Sequence, residues 1–232
     1  MSVMQTRTSK TTATPCWSCQ APAAGAHFCP ACGKIQPLPG GADYFAFFGL
    51  PQKLTLDPAA LEEQFHKLSW KLHPDNFVRA SEFERNLSLE RSSELNDAYR
   101  TLRDPIARVE YLLLYLELRK EGTTKQQAPP ELLEEVFELN ESLDELREAR
   151  AEGGDTAGLR ERLAEAQSSF QEKLEEVDAE LAGISREWDA VIDANLDETQ
   201  RKKLLARMNE VLNRRSYIRN LVASVAKELA EA

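Results

Sequence analysis

No apolar run in the 232 residues approaches the roughly 20 needed to cross a bilayer. The longest candidate, Tyr111 to Leu118, is far too short, so no membrane partner is expected. The start of the chain has no apolar signal-type core, which argues against secretion. Residues 1–15 lack acids and are rich in Ser and Thr, as transit peptides are. They carry only Arg7 and Lys10 as bases and no apolar face, and a disordered tail is expected there. A surplus of positive charge is also missing. With 29 Lys and Arg against 39 Asp and Glu, the net charge of −10 excludes general affinity for nucleic acid, because phosphate binding needs excess Lys and Arg. Cysteine is absent from the last 200 residues, and all four lie within 17 residues. A secreted disulfide scaffold would spread them, so a reducing compartment is expected.

What is present favours helix. Hydrophobic residues make up 42% of the chain and charged residues 29%, enough for a core and for solubility. Leu, Glu, Ala and Arg dominate, all residues that lose little freedom in a helix. Charge is unevenly placed: +3 over residues 1–42, −2 over 43–120 and −11 over 121–232. A nearly neutral middle followed by an acidic C-terminal part implies two units with different partners.

Asp57-Pro58 is a helix start, Asp capping and Pro fitting the first helical position. Leu61, Phe65, Leu68 and Leu72 follow on one face. His73-Pro74 must end that helix, since a residue before Pro is pushed out of the α region. Residues 74–80 read as a loop. Ser81 and Glu84 form a capping-box pattern ahead of Leu87, Glu90/Arg91, Leu95, Ala98 and Leu102, and Asp104-Pro105 ends that helix. Val109, Leu112, Leu113 and Leu116 suggest one more. Residues 121–130 read as a linker. Beyond it three helices are expected. The first starts near Pro130, with the seam Leu132, Val136, Leu139, Leu143 and Leu146. The second runs from about Asp155 to Trp188, with a possible bend at Gly183. The third starts at Asp197 and passes through Leu204, Met208, Val211, Ile218 and Val225. Heptad-like seams joined by short turns imply an antiparallel three-helix bundle over 131–232. The fold class is therefore all-α, preceded by a small metal module.

That module is Cys16-Trp-Ser-Cys19 and Cys29-Pro-Ala-Cys32-Gly33. Each pair can wrap one side of a tetrahedral ion, and Pro30 and Gly33 shape the second turn. A structural zinc held by Cys16, Cys19, Cys29 and Cys32 is the expected occupant. Two redox dithiols, or an iron atom or cluster, are the alternatives, since thiolates accept both metals. Four thiolates leave no open position for hydrolytic chemistry. So short a stretch, 16–42, would fold with its metal and not by burial alone. His27, between the pairs, is expected at the surface and not as a ligand.

His73-Pro74-Asp75 lies between two helices. Lys67 and Lys71, at i and i+4, put two ammonium groups on one face of the first. Catalysis by His73 and Asp75 would need a nucleophile or third group, which no motif supplies, so no enzyme activity and no bound ATP are expected. A plain structural turn is the bland reading. Recognition has the better physical case. Pro74 fixes the backbone, an imidazole and a carboxylate sit at a protruding tip, and such groups make charge-assisted hydrogen bonds to a partner's arginine. A basic face beside them steers an acidic partner.

With Asp43-Tyr44-Phe45-Ala46-Phe47-Phe48-Gly49-Leu50-Pro51 before it and Leu95-Asn-Asp-Ala-Tyr-Arg-Thr-Leu after it, this segment resembles a J domain, with a connecting helix to residue 120. Asp104-Pro105, Arg108, Glu110-Tyr111-Leu112-Leu113 and the acidic helical domain narrow the likeness. From residue 43 to near its end the chain resembles HscB-type co-chaperones of iron–sulfur cluster biogenesis. An N-terminal pair of CxxC motifs occurs in the eukaryotic and some bacterial members. There is no Gly/Phe-rich linker and no cysteine-repeat domain of the general J proteins. The resemblance implies docking of His73, Pro74, Asp75, Lys67 and Lys71 on a seventy-kilodalton heat-shock ATPase, with Arg79 and Arg85 as weaker candidates. It implies a second partner, an iron–sulfur cluster scaffold protein. It also implies residence in the cytoplasm of a bacterium or the mitochondrial matrix of a eukaryote.

The first bundle helix carries apolar residues beyond its seam. Leu133 and Phe137 sit about 100° further round, one turn apart. Either the buried stripe is wide, or the pair forms a small recognition patch. By register with the family, Leu133, Phe137, Glu138 and Glu141 match scaffold contacts, and Tyr217 and Leu221 are looser matches on the last helix. Glu134 falls where the family often has an apolar residue. The rival readings are a J protein serving a different client, and a zinc-containing helical adaptor whose His-Pro-Asp is incidental.

Overall fold

The structure is a computed structural model that describes residues 15–23, 25–38, 43–119, 129–194 and 197–230. Most of the tail expected over 1–15 and most of the linker expected over 121–130 lie outside the described residues. The chain divides into two compact units. The first comprises the chain through Gln52 together with Leu56–Asp104, and the second Lys53–Thr55 with Pro105–Ala232. The cysteine motifs thus share a unit with the helical hairpin, and the helix after Pro105 belongs with the bundle.

In the first unit, α1 (Tyr44–Phe47) is capped by Asp43, whose carboxylate accepts from the Ala46 N–H at 2.6 Å. It buries Phe45 and Phe47. Helix α2 (Pro58–Leu72) starts on Asp57, whose side chain accepts from Ala59 N–H at 3.0 Å. Helix α3 (Glu82–Arg103) opens with the reciprocal Ser81/Glu84 capping box, which satisfies two orphan N–H groups at once. The two helices run antiparallel. Ser88, near the start of α3, meets the end of α2 at Leu72, and Tyr99, near its end, stacks on Phe65 at 4.1 Å. Leu61 and Leu72 face Leu87, Leu95, Ala98 and Leu102, all buried.

The second unit starts with α4 (Pro105–Tyr115) and continues with α5 (Leu133–Ala151), α6 (Ala157–Asp193) and α7 (Glu198–Ala230). Ion pairs fix the directions. Glu135–Lys173 and Glu145–Arg162 make α5 and α6 antiparallel. Arg207–Glu187 and Arg215–Asp178 do the same for α6 and α7. Glu131–Arg214 and Arg147–Glu228 set α5 parallel to α7. The predicted seam Leu132, Val136, Leu139, Leu143 and Leu146 is buried throughout, facing Leu163, Phe170 and Val177 of α6 and Val211, Ile218 and Val225 of α7 within the core. Helix α6 passes Gly183 as one unbroken helix. Asp197 caps α7, accepting from Gln200 N–H at 2.9 Å. At this same end of the long α6–α7 hairpin, Asp189 accepts from the N–H groups of Leu54 and Thr55 at 2.6 and 2.8 Å. The buried Arg108 donates to the Leu54 carbonyl. That is why Lys53–Thr55 belongs with this unit.

Candidate functional site

The turn after α2 is held by its own chemistry. Pro74 has no N–H to offer the Trp70 carbonyl four residues back. Asn76 supplies the missing donor, its side-chain amide giving a 2.6 Å bond to that oxygen. The Leu72 carbonyl, also left over at the helix end, accepts from the hydroxyls of Ser88 and Ser92 at 2.7 and 2.9 Å. The segment expected as loop begins with a 3₁₀ turn, Pro74–Phe77, with Phe77 tucked inward. Within it His73 Nδ1 accepts from the Asp75 N–H at 3.3 Å and lies 3.5 Å from Asp75 Oδ2. The side chains of His73 and Asp75 are 54% and 85% exposed. Imidazole and carboxylate therefore project from a backbone that cannot readily shift. Lys67 and Lys71 are exposed on α2, Lys67 paired with Glu63 at 2.6 Å, and Arg79 and Arg85 are exposed beyond the turn.

On α5 the buried stripe is narrow, because Leu133 and Phe137 are 55% and 71% exposed. Together with Glu141 they form an i, i+4, i+8 row, and the exposed Glu138 adjoins it. Tyr217 and Leu221 are half-buried on α7, beyond the Arg214 that reaches Glu131 at 3.6 Å.

The four cysteines converge. Their sulfur atoms all lie within 4.8 Å of one another, with Cys16–Cys32 and Cys19–Cys29 at 3.6 Å. A tetrahedral ion with bonds of about 2.3 Å needs sulfurs roughly 3.8 Å apart, so the cluster fits such an ion. Its electrostatics point the same way. Burial opposes ionisation of Cys16, but the N–H groups of Cys19 and Ser18 and the neighbouring thiols outweigh it and pull the thiol down to about 6. Cys19 is pushed up to about 12: the Ala21 N–H favours its thiolate, but the thiols of Cys32, Cys29 and Cys16 oppose it. Four crowded sulfurs share negative charge poorly without a cation among them.

His27, expected at the surface, is instead half-buried in the seam between this module and the hairpin. Its Nε2 faces the Phe47 carbonyl at 2.9 Å and its Nδ1 meets the Arg91 guanidinium. A carbonyl only accepts and a guanidinium only donates, so Nε2 carries the proton and the ring is neutral. Burial, with the Arg91 charge second, lowers its pKa to about 4. Arg91 is buried and lies 4.6 Å over the Phe47 ring. Lys34 pairs with Glu84 at 2.8 Å, and Trp17 meets Phe83 edge-on at 4.8 Å. Sequence reading gave Arg91 a core-facing register but no partner, because the partner is an imidazole 64 residues away.

Comparison with known proteins gives the context. No family model matches the chain. Over 106 residues it is 44% identical to the co-chaperone protein HscB homolog of Vibrio vulnificus (strain YJ016), covering 45% of this chain and 61% of that protein. Over 162 residues it is 33% identical to the iron-sulfur cluster co-chaperone protein HscB homolog of Arabidopsis thaliana, covering 69% of this chain and 63% of that one. The matches thus span a little over three fifths of these relatives' lengths. The crystal structure of human co-chaperone protein HscB shares the fold, with a TM-score of 0.63 over 93% of this chain and 98% of that one, at 23% identity. A rigid His-Pro-Asp turn on a helical hairpin, a tetracysteine cluster in the same unit and these likenesses converge: the chain is similar in sequence to HscB co-chaperones and shares the fold of one.

Proposed function

We propose that this chain is a co-chaperone of iron–sulfur cluster assembly that works by binding two partners and catalyses nothing itself. The turn His73-Pro74-Asp75, flanked by Lys67 and Lys71, docks on the ATPase domain of a seventy-kilodalton heat-shock chaperone and stimulates its ATP hydrolysis. The row Leu133, Phe137 and Glu141, with Glu138 beside it and Tyr217 on α7, grips the cluster scaffold protein. Holding both partners on one chain raises the effective concentration of each for the other. Cys16, Cys19, Cys29 and Cys32 hold a zinc ion in a purely structural role, since four thiolates close its coordination.

One observation carries this reading. His73 and Asp75 are mostly exposed on a turn pinned by Asn76, Ser88 and Ser92, so the groups spend little entropy on docking. The test is ATPase stimulation with scaffold titrated separately. Asp75→Asn should abolish stimulation and leave scaffold affinity intact; full stimulation by that variant would overturn the docking role. Phe137→Ala should weaken scaffold binding by about tenfold or more, as expected for an exposed aromatic anchor, and spare basal stimulation. Unchanged affinity would reject the α5 row.

A further inference from the structure

Trp70 is 79% exposed, the most exposed of the large hydrophobic side chains described, while Trp188 is buried in the bundle. At 100° per residue Trp70 points roughly opposite the stripe Leu61, Phe65, Leu68 and Leu72. It has no part in the hairpin core. It lines an open groove with His66 and Ser69 of α2 and with His73, Asp75 and Asn76 of the turn. The Asn76 bond to the Trp70 carbonyl fixes the backbone of the indole relative to the turn. Lys67 lies about 60° further round the helix, so the groove has a basic flank. An exposed indole beside polar recognition groups is a costly surface for a protein to display unless a partner covers it.

We propose that Trp70 is the apolar anchor of the docking surface, seated in an apolar pocket of the heat-shock ATPase that is rimmed by carboxylates. The proposal rests on the docking role given above to His73-Pro74-Asp75. The occupant follows from continuity: three of the six lining residues belong to the turn itself, so whatever covers His73 and Asp75 must also meet Trp70. The flanking ammonium groups set the charge of the rim. A division of labour results. The turn supplies charge-assisted hydrogen bonds that drive stimulation, whereas the indole supplies residence time through desolvated contact, as aromatic hot spots do.

The test combines Trp70→Ala with 19F NMR of the full chain labelled with fluorotryptophan, Trp70→Phe assigning the signal. Addition of the unlabelled ATP-bound chaperone should shift or broaden the Trp70 signal and leave that of Trp188 in place. Trp70→Ala should raise the concentration for half-maximal ATPase stimulation about 10–30-fold with the maximum retained. The deficit should persist at high salt, where the contribution of Lys71 is screened. If Trp70→Ala stimulates like the parent while Asp75→Asn is inactive, the anchor is wrong and the docking role stands. If Asp75→Asn stimulates fully, the docking role fails and takes the anchor with it. A Trp70 signal that moves with the protein's own concentration, and not with the chaperone, would make the occupant a second copy and overturn the proposal.

Discussion

The cysteine module and the bundle solve the same problem with opposite means. Over residues 15–38 the buried apolar side chains are Cys16, Ala23, Cys29 and Ile35, far too little surface to offset the ordering of the backbone at about 25 cal/mol per Å². The module is closed by four converging sulfurs and fastened to α3 by polar contacts, His27–Arg91 and Lys34–Glu84. The bundle uses no such point. It spreads its stability over long seams of Leu, Val, Ile, Phe, Met and Trp, with ion pairs at the edges. A short chain segment concentrates its fold in one ligand set, and a long one distributes it. The first should therefore fail all at once and the second by increments.

The largest break in that comparison comes from the metal. A strong chelator should strip amide protection from residues 15–38 while α5, α6 and α7 keep theirs, read by hydrogen exchange. Structural zinc in small modules contributes on the order of 10 kcal/mol, so no residual order is expected there. Cys29→Ser should act in the same way. Protection surviving in the metal-free protein would show that the His27–Arg91 contact suffices, and the contrast would dissolve.

The counterpart in the bundle is a cavity. Leu212 is fully buried, and Leu212→Ala should cost about 2–5 kcal/mol in a urea titration of the second unit. Metal affinity of the cysteine cluster should not move. A matching loss of metal affinity would mean that the two units are energetically one.

The helical part of the fold was open to sequence reading because its signals are local. Caps at Asp57, Ser81 and Asp197 act over three residues, and the α5 seam repeats within each turn. The tetracysteine cluster was equally plain, since ligand spacing is itself the signal. What stayed hidden depends on distant partners. Nothing near His27 announces a guanidinium from α3, and nothing near Leu54 announces the carboxylate of Asp189. The exposure of Trp70 was recoverable, because it falls off the Leu61/Phe65/Leu68/Leu72 stripe, but a helical pattern draws the eye to the residues that fit it.

Acid separates the two regions more gently. The Glu228 carboxyl is held below the usual carboxylate range by its hydrogen bond to Arg147, against some burial, with the Arg147 and Arg150 charges helping. A carboxyl with a lowered folded pKa stabilises the fold above its unfolded pKa, and that stability is lost as pH falls through the folded value. The thermal midpoint of the bundle should thus decline below about pH 4. Glu228→Gln should remove that part of the slope and lower the neutral-pH midpoint. The cysteine module will also weaken in acid, but for a different reason, competition of protons for thiolate, which the Glu228 variant leaves untouched.

The smallest effect lies inside the module, where its two halves can be set against each other. In each, the fourth residue after the leading cysteine donates its N–H to that cysteine's carbonyl: Gln20 to Cys16 at 3.0 Å and Gly33 to Cys29 at 2.9 Å. Both sit in the left-handed region, at φ 62° and 72°. Glycine adopts that conformation freely, whereas a side chain costs roughly 1 kcal/mol. A methyl group added at Gly33 would meet nothing within 4 Å, so the cost of Gly33→Ala is one of backbone alone, about 1 kcal/mol, with metal affinity reduced several-fold. Gln20→Gly should do the reverse and tighten the metal. Its gain should be smaller, because the added glycine also frees the unfolded chain. Competition with a calibrated chelator reads both, and a Gln20→Gly protein that bound metal more weakly would mean that the Gln20 side chain, and not its backbone, holds the first half in place.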